Sequence, residues 1–413
     1  TLNNNALNLS GGTATNGGLL EVYGALTLDG ITFDDKTTIK LNSDTQLTSA
    51  SPFTVKRVEM GTHFLSLGSA TTDLTISDNI TINYSGRNGI NSGAADLKLN
   101  GPVNVLMGGF LSNGGTLTFG AGSNGTSFAE ENTGMDLDNT TLNLQTDLNV
   151  SSLDFKGTST LVTNGNTLAI DEGIKLGLAN EFDFTNVTTG DEVYFQLAGD
   201  TTITKTGDLL FKWISLKGYT LKLNPQITSL TSEGISIQNY DNSSSNYMAS
   251  TGNLQAQGVD VKSTKKLWVD KGKIVMGGGT LTLEQGGGLG SSGSGEIDLS
   301  NSTLELAGPF LNDGGTLTTS ASTLKLKANV LFRLGNVVTF NTYVPNGWGL
   351  LLYDNQNTST VKSLTLGTNN DNITLEPSTN SLTSGFVSWY HDNNTEYVSG
   401  DHYIGIESNN GSL

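Results

Sequence analysis

The sequence predicts an almost all-β chain wound as a right-handed parallel β-helix, a β-solenoid. Three observations carry that prediction: a dense series of short apolar-polar-apolar segments, glycine and asparagine corners between them, and internal repeats. The segments include Leu26-Thr27-Leu28, Leu74-Thr75-Ile76, Leu97-Lys98-Leu99, Leu142-Asn143-Leu144, Leu221-Lys222-Leu223, Leu281-Thr282-Leu283 and Leu324-Lys325-Leu326. A period of two turns one face of a strand inward and the other outward. No segment carries the 3.6-residue period of an amphipathic helix. Strands this short, often spaced six to ten residues apart, also occur in hairpin sandwiches, so tandem β-sandwich domains are the rival architecture.

The repeats favour the solenoid. Leu106 to Phe119 reads LMGGFLSNGGTLTF and Leu306 to Thr319 reads LAGPFLNDGGTLTT, nine identities in fourteen without a gap. Met135 to Leu144 (MDLDNTTLNL) and Ile297 to Leu306 (IDLSNSTLEL) share six of ten, and Gly-Gly-Thr-Leu-Thr starts at Gly114, Gly278 and Gly314. One such unit cannot bury its apolar face alone, but stacked coils can, with backbone groups pairing to the coil above and below. A coil of roughly 20–25 residues predicts about 16–20 coils.

Composition agrees with stacked strands and against disorder. Hydrophobic residues are 35% and charged residues only 15%, whereas disordered chains carry high charge and few β-branched residues. The 52 Gly and 6 Pro lack the strict triplet period of collagen. With 21 basic against 39 acidic residues the net charge is -18, which disfavours nucleic acid and anionic membranes as partners. Cysteine is absent, so no disulfide framework or thiolate metal site exists. No run of 18 apolar residues occurs, so no membrane-spanning segment is expected. The sequence opens at Thr1 without Met or an apolar leader, as expected of an exported chain whose signal peptide is already removed; the expected location is extracellular or at the cell surface.

Four segments follow from the pattern: solenoid over 1–177, an irregular aromatic-rich stretch within it over 178–240, solenoid over 241–327, and a C-terminal cap or subunit-contact region over 328–413. The last is rich in aromatics, and terminal repeats are usually atypical. Tyr and Trp also favour interfaces, which makes Trp348, Trp389, Tyr390, Tyr397 and Tyr403 candidate contact residues. Lys262, Lys265, Lys266, Lys271 and Lys273 form a basic cluster in an acidic chain, able to dock on the acidic surface of another subunit or to serve as a solvated loop. Asp136 and Asp138 project from one face of a strand and Asp371 lies in an oxygen-rich loop. They are the candidate Ca²⁺ ligands, although a hard cation wants six to eight oxygens and no EF-hand or nonapeptide calcium repeat is present.

On GGTLTF at Gly114 to Phe119, GGGTLTLEQGG at Gly277 to Gly287 and STLELAG at Ser302 to Gly308, the chain resembles bacterial autotransporter passengers and filamentous-haemagglutinin-like adhesins. The resemblance covers about two thirds of the chain and implies a surface location with an adhesive or scaffold role. A membrane β-barrel, which an autotransporter requires, is not recognisable here. Trp389-Tyr390-His391-Asp392-Asn393 resembles a short Trp/His motif of pectate lyases. Those enzymes also need a catalytic Arg and an Asp cluster, and Arg57, Arg87 and Arg333 stand in no matching context. His63, His391 and His402 have no zinc-site spacing. No catalytic residue and no obligatory cofactor is expected. The leading expectation is a structural subunit of an extracellular filament or matrix that pairs with itself head-to-tail through solenoid ends. The alternative is a monomeric adhesin stalk that binds glycans or neighbouring cell surfaces. A polysaccharide lyase or phage tail-spike ranks behind both.

Overall fold

The structure is a computed structural model. It describes residues 6–354 except 15–16, 34–35, 87, 130–132, 191, 238, 242–245, 249–251, 266, 345, 347 and 349, together with the strands Leu364–Gly367, Asn372–Leu375 and Phe386–Trp389. Among the described residues the chain is nearly all strand, with one 3₁₀ turn at Ala121–Ser123. Parallel strands stack as a β-solenoid of about 14 turns. That is fewer than the sixteen to twenty coils expected. The expectation spread the whole chain over coils of one length, whereas the described parallel strands end at Gly367 and the coil length varies.

In the first compact unit, Thr1–Val193, one parallel sheet is built from Phe53–Val55, Asp73–Ile76, Asp96–Leu99, Thr116–Phe119, Thr141–Leu144 and Thr160–Val162. Alternation sets its register. Leu74, Leu97, Leu117 and Leu142 pair directly, as do Ile76, Leu99, Phe119 and Leu144, and all eight are buried. A second row runs Ile90, Phe110, Met135, Leu153, Ile174, also buried. Successive partners in this row are 18 to 25 residues apart along the chain, so coils vary in length while the stacking contact is kept. Each inward leucine meets the leucine above and below, and full burial of such a side chain is worth about 1.5–3 kcal/mol.

The second unit, Tyr194–Leu413, repeats the principle. Leu230, Val261, Leu281, Leu304 and Leu324 follow one another in register and are buried. Phe310 stacks on Phe332 with ring centroids 5.0 Å apart. Among the described residues the pairing is parallel except in three places. Asn239–Asp241 runs antiparallel to Asn246–Met248, Leu350–Asp354 to Phe386–Trp389, and Leu364–Gly367 to Asn372–Leu375.

The sequence repeats become repeated structural roles. In MDLDNTTLNL and IDLSNSTLEL the asparagine, Asn139 or Asn301, turns the corner at a φ of 50° or 58°, the left-handed region that Asn tolerates better than most residues. The next residue is buried in both, and its hydroxyl accepts the amide of the glycine one coil back. Gly114 N–H donates to Thr140 at 3.3 Å, and Gly278 N–H donates to Ser302 at 3.0 Å. In the fourteen-residue repeat, Phe110 and Phe310 both point inward, followed by a buried polar residue, Ser112 or Asn312, that fastens the glycine turn behind it.

Candidate interaction surfaces

A parallel stack places outward side chains of consecutive coils about 4.8 Å apart, so charges on neighbouring coils meet. In the first unit Lys156 Nζ lies 2.8 Å from Asp136 and 3.1 Å from Asp154, and Lys175 reaches the same Asp154 at 2.9 Å. Burial pulls the Lys156 ammonium down, but hydrogen bonds and charge from Asp136 and Asp154 outweigh it and hold its pKa above the usual lysine range. Arg57 spans to Asp78 at 2.7 Å, and Lys40 to Glu21 at 3.2 Å. In the second unit Lys325 and Lys327 converge on Glu305, at 2.8 and 2.6 Å. Burial works to raise the Glu305 pKa, and the two ammonium groups with Thr282 overcome it and hold the carboxyl below the usual range.

The same ladders account for most of the basic cluster. Lys262 pairs with Glu284 at 2.6 Å, Lys265 with Glu233 at 2.5 Å, and Lys273 with Glu296 at 2.6 Å and Asp298 at 3.8 Å. The Glu296 hydrogen bond is the largest influence on Lys273 and raises its pKa. Lys271 stands half-exposed in register with Ser294, and Lys266 lies outside the described residues. Lys262, Lys265 and Lys273 therefore serve contacts between coils, which the cluster's sequence did not signal. Their acidic partners lie 22 to 32 residues away along the chain and are visible only once the coil length is known.

Of the candidate calcium ligands, Asp136 is engaged by Lys156, Asp138 sits two positions along the same strand, and Asp371 lies outside the described residues. Among the described residues no group of three or more His, Asp or Glu side chains is arranged to hold a metal ion. Asp136 and Asp154 instead border a cavity of about 240 Å³ with Asn88, Thr133, Met135 and Ser152. Of the aromatic candidates, Trp348 is exposed, and Trp389 ends the strand Phe386–Trp389, its backbone opposite Leu350. Tyr390, Tyr397 and Tyr403 lie outside the described residues, as do His391, Asp392 and His402.

Two surfaces escaped the sequence reading. On the first unit a groove of about 600 Å³ is lined by Thr116, Thr141, Asn143, Gln145, Val162 and Asn164, together with Asn166, none of them charged. Asn164 donates to the Asn143 side chain at 2.8 Å and to the Leu144 carbonyl at 2.9 Å, so an amide ladder shapes one wall. On the second unit Tyr194, Trp213 and Trp268 stand exposed on outward strand positions. The signal was available: Tyr194, Trp213 and Trp268 each sit at an outward position of an alternating strand, flanked by buried Phe195, Ile214, Leu267 and Val269.

Comparison with protein-family profiles, with characterised proteins and with solved structures found no match.

Proposed function

We propose that this chain is a structural subunit of an extracellular filament or matrix, assembling through the same coil-on-coil pairing that builds its own core. One observation carries the reading. Coil pairs with coil through parallel backbone hydrogen bonding, from Ala6–Ala14 on Ala25–Phe33 to Val330–Leu334 on Leu350–Asp354. A row of unpaired N–H and C=O groups is a template for another chain. A strand from a second copy laid on such a row in parallel continues the stack, and a contact of that head-to-tail kind which does not close grows a fibre. The charge ladders support a scaffold role, because they commit Lys156, Lys175, Lys325 and Lys327 to holding coils together rather than to a reacting group.

Electron microscopy of purified protein, with and without chelator, tests the reading. Regular fibres are the expected result. Monodisperse monomers at high concentration contradict it.

A second reading, a monomeric adhesin stalk of the kind found in autotransporter passengers, is favoured by the uncharged groove on the first unit. Amides and hydroxyls recognise sugar hydroxyls without offering an acid or base. A glycan array separates it from the first reading, since it requires saturable glycan binding by a protein that remains monomeric.

A further inference from the structure

We infer that the second unit carries a stacking track for a neutral, linear polysaccharide, formed by Tyr194, Trp213 and Trp268. This surface is independent of strand-edge assembly and lies on a different unit from the uncharged groove.

The three rings share one outward sheet face. Tyr194 pairs in register with Trp213, Trp213 with Gly234, and Ser236, two residues on, with Trp268. Tyr194 and Trp213 stand in one column on successive coils, about 4.8 Å apart, and Trp268 stands two coils beyond Trp213 in the column two residues along, so the three rings step diagonally across the sheet. All three side chains are exposed, at 53%, 37% and 38%. Between the tryptophans the sheet is kept low. Gly234 has no side chain, and a Cβ there would collide with the Trp213 indole, which lies over it. Gly288 occupies the next coil opposite Trp268. The outward neighbours two residues along from Tyr194, Trp213 and Gly234 are Gln196, Ser215 and Ser236, all neutral and all able to donate or accept hydrogen bonds.

This combination selects the occupant. The face of an aromatic ring is electron-rich and favours the C–H face of a pyranose whose hydroxyls are equatorial. The rim of amide and hydroxyl groups meets the sugar hydroxyls at the edge of the ring. Rings spread over four successive coils suit an extended, repetitive chain better than a compact ligand. The charge disfavours a polyanion: the chain carries -18 overall, and Lys212 is seated over the Tyr194 ring, 5.5 Å from its centroid.

Calorimetry and tryptophan fluorescence with cellohexaose and chitohexaose test the inference, with polygalacturonate as the charged comparison. Saturable binding of at least one neutral oligosaccharide with a change in tryptophan emission is expected. Trp213→Ala and Trp268→Ala should each weaken it about tenfold or more, a cost of about 1.4 kcal/mol. Gly234→Ala, which displaces the indole without deleting it, should weaken it as well, and Trp348→Ala should leave it intact. Circular dichroism confirms that each variant is folded. No saturable binding, binding unchanged in the Trp213→Ala/Trp268→Ala double variant, or a preference for polygalacturonate would overturn the inference. So would self-association of the wild type that the double variant abolishes, because the occupant would then be a second copy of the chain. Loss of fibres with sugar binding retained would refute only the assembly reading.

Discussion

Stacking in register brings like side chains together, and for one acidic pair this is a cost. Asp73 and Asp96 occupy the same position on successive coils. Burial first, then the charge of Asp96 and a hydrogen bond between the carboxyls, raise the Asp73 pKa. The folded state therefore holds this proton more tightly than the unfolded chain does. The penalty is absent below the unfolded value of 3.8 and appears as pH rises through the higher folded value. Asp73→Asn should raise the melting temperature at pH 7 by about 1–2 °C and make no difference at pH 3. Thermal melts at the two pH values check this, and equal effects at both would show that the pair is not the cause.

At the scale of a strand pair, the ladders and close approaches set what each coil tolerates. Glu305 is almost fully shielded and held by two lysines. Its pKa is depressed, so its contribution is present above the ordinary value near 4.5 and is lost as pH falls through the lower folded value. Glu305→Gln should cost about 1–2 kcal/mol at pH 7, with the difference closing as pH falls below the ordinary carboxylate range, measured by denaturant unfolding. Gly109 faces Gly134 on the next coil, and a Cβ at 109 would run into the Gly134 carbonyl. Backbone cannot rotate away as a side chain can. Gly109→Ala should therefore destabilise by about 1–3 kcal/mol, whereas alanine at Gly18, where a Cβ meets nothing, should be nearly neutral. These partners explain what the sequence concealed. The Leu-x-Leu alternation and the αL asparagines of the two repeats are local signals, so the strands and corners were legible. Lys262 with Glu284, or Gly109 with Gly134, are contacts one coil apart, and variable coil lengths hide them until the register is known.

On the whole-molecule scale, the account rests on the coils and not on any catalytic constellation. The core was legible because nearly every inward position is Leu, Ile, Val or Phe, and the aromatic stretch resolves into buried Phe195 and Phe211 beside exposed Tyr194 and Trp213. Which outward face carries a track or groove was not legible, since a period of two says that a residue points outward but not which of a coil's faces it shares. The protein has no native cysteine, so introduced pairs report on that arrangement without background. The most direct measurement is oxidation of paired cysteines at positions the stack places side by side: Thr75→Cys with Lys98→Cys in the first unit and Thr202→Cys with Lys222→Cys in the second. Neighbours about 4.8 Å apart lie within disulfide reach, so both pairs should close rapidly, read by mass and by mobility on non-reducing gels. Thr75→Cys with Asp96→Cys and Thr202→Cys with Thr220→Cys, each offset by two residues, should not. Closure of the offset pairs in preference to the in-register pairs, or of neither set, would contradict parallel coil-on-coil stacking.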